Sequence, residues 1–415
     1  MSAKEELVVV LDAADLGPAR PVGVLTRWPG HTLAVGFAYA ASWLRAGAGA
    51  FAIDPTLPLV EGLSPIPGRR LPGILADTAP DAWGQALLRR REGRDLDDWG
   101  LLTGVADETR MGALRLRRGI DGPFVSERNP AVPPVTALRT LQAAARRFEV
   151  DPDVPGTDPA IALLIAPGSS LGGARPKANY RTPDGSLWIA KFPSGTDRRD
   201  VGAWEYVYAR LARAAGIDVP DTDLLDVAGS ARTFATRRFD RTPGGRRLFA
   251  SALTLTGRTT TEDADYADIA RAITANVAAA SVRDDLAQLY RRMAFNVLAG
   301  NRDDHLRNHG FLRTPAGWRL APAFDMNPAR ETREHATSVN GRAIAPSAAD
   351  VLAARIHVGL PEGAARAVII EVAAALVTWP DLARWAGISR SEQDRVSVAF
   401  AALATVADLA IGASG

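Results

Sequence analysis

Asn301-Arg302-Asp303-Asp304-His305-Leu306-Arg307-Asn308 follows a helical stretch that ends in Leu298-Ala299-Gly300, and the fold turns on how this loop is read. Asp303 and Asn308 stand with four residues between them, a proton acceptor and an oxygen ligand on one tight loop. Downstream, Gly310 to Phe324 reads as a hairpin through Pro315-Ala316-Gly317, with Trp318-Arg319-Leu320 strand-like, and it delivers Asp325-Met326-Asn327. Phosphoryl transfer needs an in-line hydroxyl and cations that neutralise the phosphate oxygens, which three oxygen-bearing side chains on two neighbouring loops can provide. Asp303 is therefore the candidate catalytic base, and Asn308 and Asp325 are the candidate magnesium ligands. The plainer reading makes these acids solvated helix-end residues. Asp304 is an alternative base, although Asp303 has the better separation from Asn308. His305 reads as a satisfied loop histidine rather than a metal ligand, and counts among the candidate nucleotide contacts.

Arg302-Asp303 with Asn308 has the spacing of the protein-kinase catalytic loop. Such a site also needs a lysine on an upstream strand and a glycine turn over the triphosphate. The chain has 49 lysines and arginines together, yet its only lysines are Lys4, Lys177 and Lys191. Where arginine so dominates, a retained lysine marks a place that wants a compact ammonium. Lys191 lies in the alternating strand Leu187-Trp188-Ile189-Ala190-Lys191-Phe192, and Lys177 closes Gly168-Ser169-Ser170-Leu171-Gly172-Gly173-Ala174-Arg175-Pro176-Lys177. Gly172 and Gly173 would let backbone N–H groups turn toward phosphate. No Gly-Lys-Ser/Thr closes the turn, so it is not a Walker A loop. Glu205, on the helix after Lys191, is placed to pair with it. The order of these parts points to an ATP-dependent phosphotransferase.

The 415 residues are 47% hydrophobic and 23% charged, enough for two or three domains. The absence of cysteine excludes disulfides, thiolate metal sites and cysteine nucleophiles. A net charge of +2 gives little support to nucleic-acid binding on its own. No signal peptide is evident and no run reaches about 18 uninterrupted apolar residues, so a cytoplasmic location with no membrane contact is expected. Expected domains are a small β-rich domain over residues 1–125, a mixed ATP lobe over 126–255, and a helical lobe over 256–415. Helices are expected near 77–90, 136–148, 203–215, 266–280, 283–298, 348–356, 364–377 and 390–411.

Beyond this reading, the residues resemble HipA-type serine/threonine kinases, the toxin halves of bacterial toxin–antitoxin pairs. Ser170-Leu171-Gly172-Gly173-Ala174-Arg175-Pro176-Lys177 is similar to the family's loop, Trp188 to Pro193 to its lysine strand, and Arg237-Arg238-Phe239-Asp240-Arg241 to its Arg-Phe-Asp-Arg signature. Asp77 to Asp81 and Gly104 to Leu116 look like the small domain that precedes the family's kinase core. The resemblance implies an α+β, two-lobed protein-kinase-like fold with a β-rich amino-terminal domain and an all-α carboxy-terminal lobe. It implies Lys191 on the ATP phosphates and Ser170 as an autophosphorylated loop serine, whose added charge would expel the loop. Ser170, Gly172, Gly173, Lys177, Glu205 and His305 complete the expected ATP site. The implied partners are a HipB-like helix-turn-helix antitoxin, operator DNA mainly through that antitoxin, and a protein substrate such as an aminoacyl-tRNA synthetase. Two alternatives remain at this point. One is a small-molecule kinase of the aminoglycoside- or choline-kinase type, using acids near Glu262, Asp263 and Asp265. The other is a silent co-repressor.

Overall fold

The computed structural model describes residues 4–29, 35–66, 71–126, 131–152, 155, 164, 173–329 and 333–411. Its amino-terminal sheet has the order β4-β3-β2-β1-β5, with β1 Glu5–Leu11, β2 Arg20–Arg27, β3 Val35–Tyr39, β4 Leu63–Pro65 and β5 Leu114–Arg117. The run Leu7-Val8-Val9-Val10-Leu11 is apolar at successive positions and buried throughout, because β1 pairs with β2 on one edge and β5 on the other while both its faces are covered. Beyond a single turn at Gly73–Ala76, two longer helices lie between β4 and β5: α1 Ala82–Glu92 and α2 Asp98–Gly104. The cap of α1 is Asp81, whose side chain accepts from Gly84 N. Asp77 does not start that helix. It turns inward, where it accepts from Ser251 N (2.7 Å), Ser251 Oγ (2.8 Å) and Thr254 Oγ1 (2.8 Å).

After α3 (Leu138–Val150), a four-stranded antiparallel sheet forms in the order β6-β7-β9-β8, from Lys177–Arg181, Leu187–Lys191, Thr233–Arg237 and Thr222–Leu225 respectively. The β6–β7 register sets Lys177 opposite Lys191. Between β7 and β8 runs α4, Val201–Ala214, capped by Asp200 through Ala203 N (3.0 Å). Its face toward the core carries Trp204, Val207, Tyr208 and Leu211, none more than 1% exposed.

The remainder is mostly helical, as the sequence pattern implies, but it also carries strands. Short strand β10 (Phe249–Ser251) joins β11 (Gly310–Thr314) and β12 (Gly317–Leu320), the latter two being the hairpin expected before Asp325. Strand β13 (Glu334–Val339) lies beyond Asp325 and was not foreseen in a lobe expected to be all-α. Helix α5 (Tyr266–Asn276) opens on a capping box between Asp265 and Asp268, so the Asp265 carboxylate serves the helix start. Helix α6 (Ala279–Ala299) fills the centre of the lobe with Tyr290, Met293 and Phe295. It stops at Gly300, which has φ +63°, and a Cβ there would lie 2.3 Å from the Ala399 carbonyl. Only glycine meets both demands, and it fixes where the next loop begins. Helix α7 (Glu362–Leu376) continues toward Trp385, a run long and apolar enough by length to cross a bilayer. Its Ala365, Ile369, Val372 and Leu376 are instead buried in the core cluster that also holds α6. The single helix expected over 390–411 breaks into Arg390–Val396, a 3-10 segment Ser397–Thr405 and Val406–Ile411. Ser397 Oγ bonds back to the Asp394 carbonyl at that break.

A buried ion pair clamps the amino-terminal domain to the four-stranded sheet. Arg238 and Asp240 are 0% exposed and joined through Nε (2.8 Å) and Nη2 (2.7 Å). Arg238 Nη1 also donates to the Thr109 carbonyl (2.7 Å) and to Asn179 Oδ1 (3.0 Å) on β6. Asp240 accepts further bonds from Gly112 N (2.8 Å) and Arg241 Nη1 (2.5 Å). Burial would push its pKa up, but the Arg238 and Arg241 guanidinium groups outweigh that and hold it well below the usual carboxylate range. Removing the acid leaves two guanidinium groups without their counterion, so Asp240→Ala is expected to cost about 3–5 kcal/mol in denaturant unfolding. Because the folded-state pKa is depressed, this contribution is complete above the ordinary aspartate pKa and is lost as pH falls below it, so the difference between wild type and variant should shrink in acid.

Candidate active site

The site assembles where β7, α4, the loop after α6 and the segment after β12 meet. Lys191 Nζ lies 2.5 Å from Glu205 Oε1 on α4 and 2.6 Å from Asp325 Oδ1. Burial alone would strip the lysine of its proton, but Asp325 and Glu205 outweigh it and raise the pKa, so Lys191 stays an ammonium. Asp325 is held low by Lys191 and Lys177 in spite of burial. Glu205, fully buried and near Asp325, is pushed up against the pull of Lys191. The triad sets two carboxyl groups against one ammonium.

Asp325 has φ +59°, an unusual conformation for a residue with a side chain, and such outliers gather at functional sites. Across from it, Asn308 Nδ2 donates to the Asp303 carbonyl (2.7 Å), which ties the two ends of the loop together. The Asp303 side chain is 72% exposed, in contrast to the neighbouring Asp304 at 0%. The walls of the cleft, reinforced by Asp325 and Asp304 and opposed by His305, hold the Asp303 pKa above the ordinary value. Exposure makes Asp303, and not Asp304, the acid open to a molecule entering the cleft. His305 Nε2 stands 3.7 Å from Asp303 Oδ1, and its Nδ1 is buried with no hydrogen-bond partner among the described residues.

Among the described residues, no three His, Asp or Glu side chains converge to hold a metal by themselves. Asn308 and Asp325 supply two oxygen-bearing side chains, and a magnesium ion characteristically completes its shell with water and phosphate oxygens. The donor set thus fits magnesium held jointly with a nucleotide.

Lys177 is placed differently from expectation. Its side chain is 1% exposed, and Nζ donates to Asp81 Oδ2 (2.6 Å), the cap of α1, and to the Gly173 carbonyl (3.4 Å). Ser170 and Gly172 lie outside the described residues; Gly173 has φ +90°. Two cavities flank the triad. A crevice of about 50 Å³ is lined by Ile189, Phe234, Arg237, Phe239 and Met326 beside Lys191 and Asp325. A larger one, about 570 Å³, lies between the amino-terminal domain (Asp77, Pro80, Asp81, Asp98) and the catalytic loop (His305, Arg307).

The HipA-like C-terminal domain model matches residues 169–379, which span the lysine strand, the catalytic loop and Asp325, and the HipA N-terminal domain model matches 17–117. The chain belongs to the HipA-like family. It is 26% identical over 193 residues to the serine/threonine-protein kinase toxin HipA of Shewanella oneidensis, covering 39% of this chain and 43% of that one. It is 32% identical over 160 residues to a Sinorhizobium fredii protein named "Putative kinase Y4dM", covering 34% of this chain and 37% of that one. The matched stretches thus span less than half the length of these curated relatives. The fold is shared much further. The structure of the Shewanella oneidensis MR-1 toxin–antitoxin complex of HipA, HipB and operator DNA superposes with a TM-score of 0.68 at 18% identity, over 97% of this chain and 96% of that one. The expected two-lobed α+β architecture is therefore the observed one.

Sequence reasoning did not find Asp81 as the partner of Lys177, nor the buried role of Asp304. The cap position of Asp81 was readable. Its contact with Lys177, 96 residues away, was not. Replacing Lys191 with Met removes a charge-assisted contact of about 1.5–3 kcal/mol, so nucleotide affinity should fall roughly 10–100-fold, as measured by titration calorimetry. Glu205→Gln, which keeps a hydrogen-bonding oxygen but loses the charge, should give a smaller loss.

Proposed function

We propose that this chain is an ATP-dependent serine/threonine protein kinase of the HipA toxin type. The observation that carries this reading is the bridging of Lys191 to both Glu205 and Asp325, opposite a loop that exposes Asp303 and holds Asn308. In protein kinases the strand lysine, the helix glutamate and the metal-binding aspartate must all be in place for transfer.

In the proposed reaction, Asp303 accepts the proton of a seryl or threonyl hydroxyl as that oxygen bonds to the γ-phosphorus. The bond from the γ-phosphorus to the bridging oxygen breaks, and ADP leaves. Lys191 holds phosphate oxygens of the nucleotide. Asn308 and Asp325 would hold magnesium, which neutralises phosphate charge when bound. In this reading the base of the nucleotide lies toward the apolar crevice beside Ile189 and Phe234, and the acceptor segment enters the 570 Å³ cavity between the amino-terminal domain and the catalytic loop.

Ser170 is the proposed site of autophosphorylation, its added charge opposing phosphate binding under the glycine turn. A HipB-like antitoxin is the proposed partner, with operator DNA contacted mainly through it. The solved HipA, HipB and operator DNA complex supports this by shared fold. Phosphorylation of a protein of the translation machinery, such as an aminoacyl-tRNA synthetase, would account for a growth-inhibiting toxin. The small-molecule reading is less favoured because Asp265 is committed to capping α5 and to Ser338 and Gly341.

The test is intact mass and peptide mapping after incubation with magnesium and ATP. Wild type should gain phosphate on Ser170, and Asp303→Asn should lose about 10²–10⁴-fold in transfer rate while still binding ATP. Absence of transfer in wild type would remove the kinase reading. The rate should also decline as pH falls through a midpoint above the ordinary aspartate value, because protonated Asp303 accepts no proton.

A further inference from the structure

Asp304 stands beside the proposed base but faces the opposite way. Its carboxylate is fully covered and is met only by donors. Oδ2 accepts from Tyr266 Oη (2.7 Å) and His335 Nδ1 (3.2 Å), and Oδ1 from Thr337 N (3.3 Å). Its backbone carbonyl accepts from Thr337 Oγ1 (2.7 Å) and lies 3.2 Å from His309 Nε2. The network continues beneath the loop. Asn296 Nδ2 donates to Tyr266 Oη (2.8 Å), Asn301 Nδ2 to Asn296 Oδ1 (3.0 Å), and Asn327 N to Asn301 Oδ1 (3.3 Å). One continuous set of hydrogen bonds therefore joins the segment behind Asp325, the catalytic loop and β13. Arg302 adds two ties: its guanidinium donates to the Ala329 carbonyl, and its own carbonyl accepts from Ala336 N (3.0 Å).

In many kinases the segment after the metal-binding aspartate is ordered only when a phosphorylated residue pairs with arginine. Here Arg302, the arginine adjoining the proposed base, is given to a peptide carbonyl, and the segment is tied from within by a carboxylate. Resting on the kinase reading above, we propose that Asp304 is the positioning residue that holds residues 325–329 and 333–339 on the catalytic loop and so orients Asp303. The site is then assembled without phosphorylation of that segment. The residue type matters: an ionised carboxylate only accepts, and three donors converge on it. An amide of the same shape would turn an N–H toward at least one of them.

The experiment uses the full chain as wild type, Asp304→Asn and the milder Thr337→Val, which removes a single bond. Hydrogen exchange, ATP affinity by calorimetry and single-turnover transfer are measured on each. Asp304→Asn should speed exchange in residues 325–329 and 333–339, leaving the β1–β5 sheet unchanged. It should lower transfer about 10–100-fold, the cost of a misplaced reacting group. ATP affinity should stay within about twofold, a split that separates loss of transition-state positioning from loss of binding. Thr337→Val should fall between, and it carries the test if Asp304→Asn does not fold.

Wild-type exchange and transfer in a folded Asp304→Asn would overturn the proposal. So would exchange that rises uniformly through the chain while ATP affinity and rate fall together. A phosphate on residues 333–347 whose removal by phosphatase abolishes activity would also overturn it. If wild type transfers no phosphate but Asp304→Asn still loosens 325–329 and 333–339 selectively, the kinase reading fails and the tether stands.

Discussion

A single buried ammonium organises this molecule. Lys191 leaves the end of β7 and meets one carboxylate from α4 and another from the segment after β12, at 2.5 and 2.6 Å. Lys191 and Glu205 are 14 residues apart, but Lys191 and Asp325 lie 134 residues apart. Any one of them buried alone would carry a large desolvation cost, and only the assembled triad offsets it. The strand, the helix and the loop are thereby drawn to one point. That point is also where phosphate and a cation would be bound.

A second constraint ties the amino-terminal domain to this core. The Arg238–Asp240 pair reaches Thr109 and Gly112, Asp77 holds Ser251 and Thr254, and Asp81 holds Lys177. Each contact is a buried charge satisfied across the boundary between the five-stranded sheet and the kinase-like body. Such contacts are directional, so they fix orientation more than they add net stability. The amino-terminal domain is therefore positioned as one wall of the large cavity that faces the catalytic loop, not carried as an appendage.

The strands and helices near the site were legible because their patterns are local. Leu187 to Lys191 alternates, Ala203 to Ala215 has helical spacing and ends at Gly216, and Pro315-Ala316-Gly317 marks a hairpin turn. Strand β13 was missed although Asn340-Gly341, both at positive φ, turns it back onto Arg342–Ile344 as a local hairpin; its other pairing, two residues long with Ala264 and Asp265, lies about 70 residues away and no local pattern encodes it. The break in the helix expected over 390–411 was missed because the Ala-rich run keeps helical periodicity, while its hydrogen bonding tightens to 3-10.

What the sequence determined by itself was the set of candidate site residues and their order. Lys191, Glu205, Asp303, Asn308 and Asp325 are marked by residue type, by spacing and by the rarity of lysine. The sequence favoured Asp303 over Asp304 only by its separation from Asn308, and it placed Lys177 with the phosphates and His305 among satisfied residues. Tertiary structure decided these, because burial and partners belong to the assembled surface and not to the residue. Asp303 faces the cleft while Asp304 is enclosed by Tyr266, His335 and Thr337, Lys177 is held by Asp81, and the His305 Nδ1 has no partner among the described residues. Two adjacent carboxylates of identical chemistry acquired opposite roles through one difference: which of them the fold removed from water.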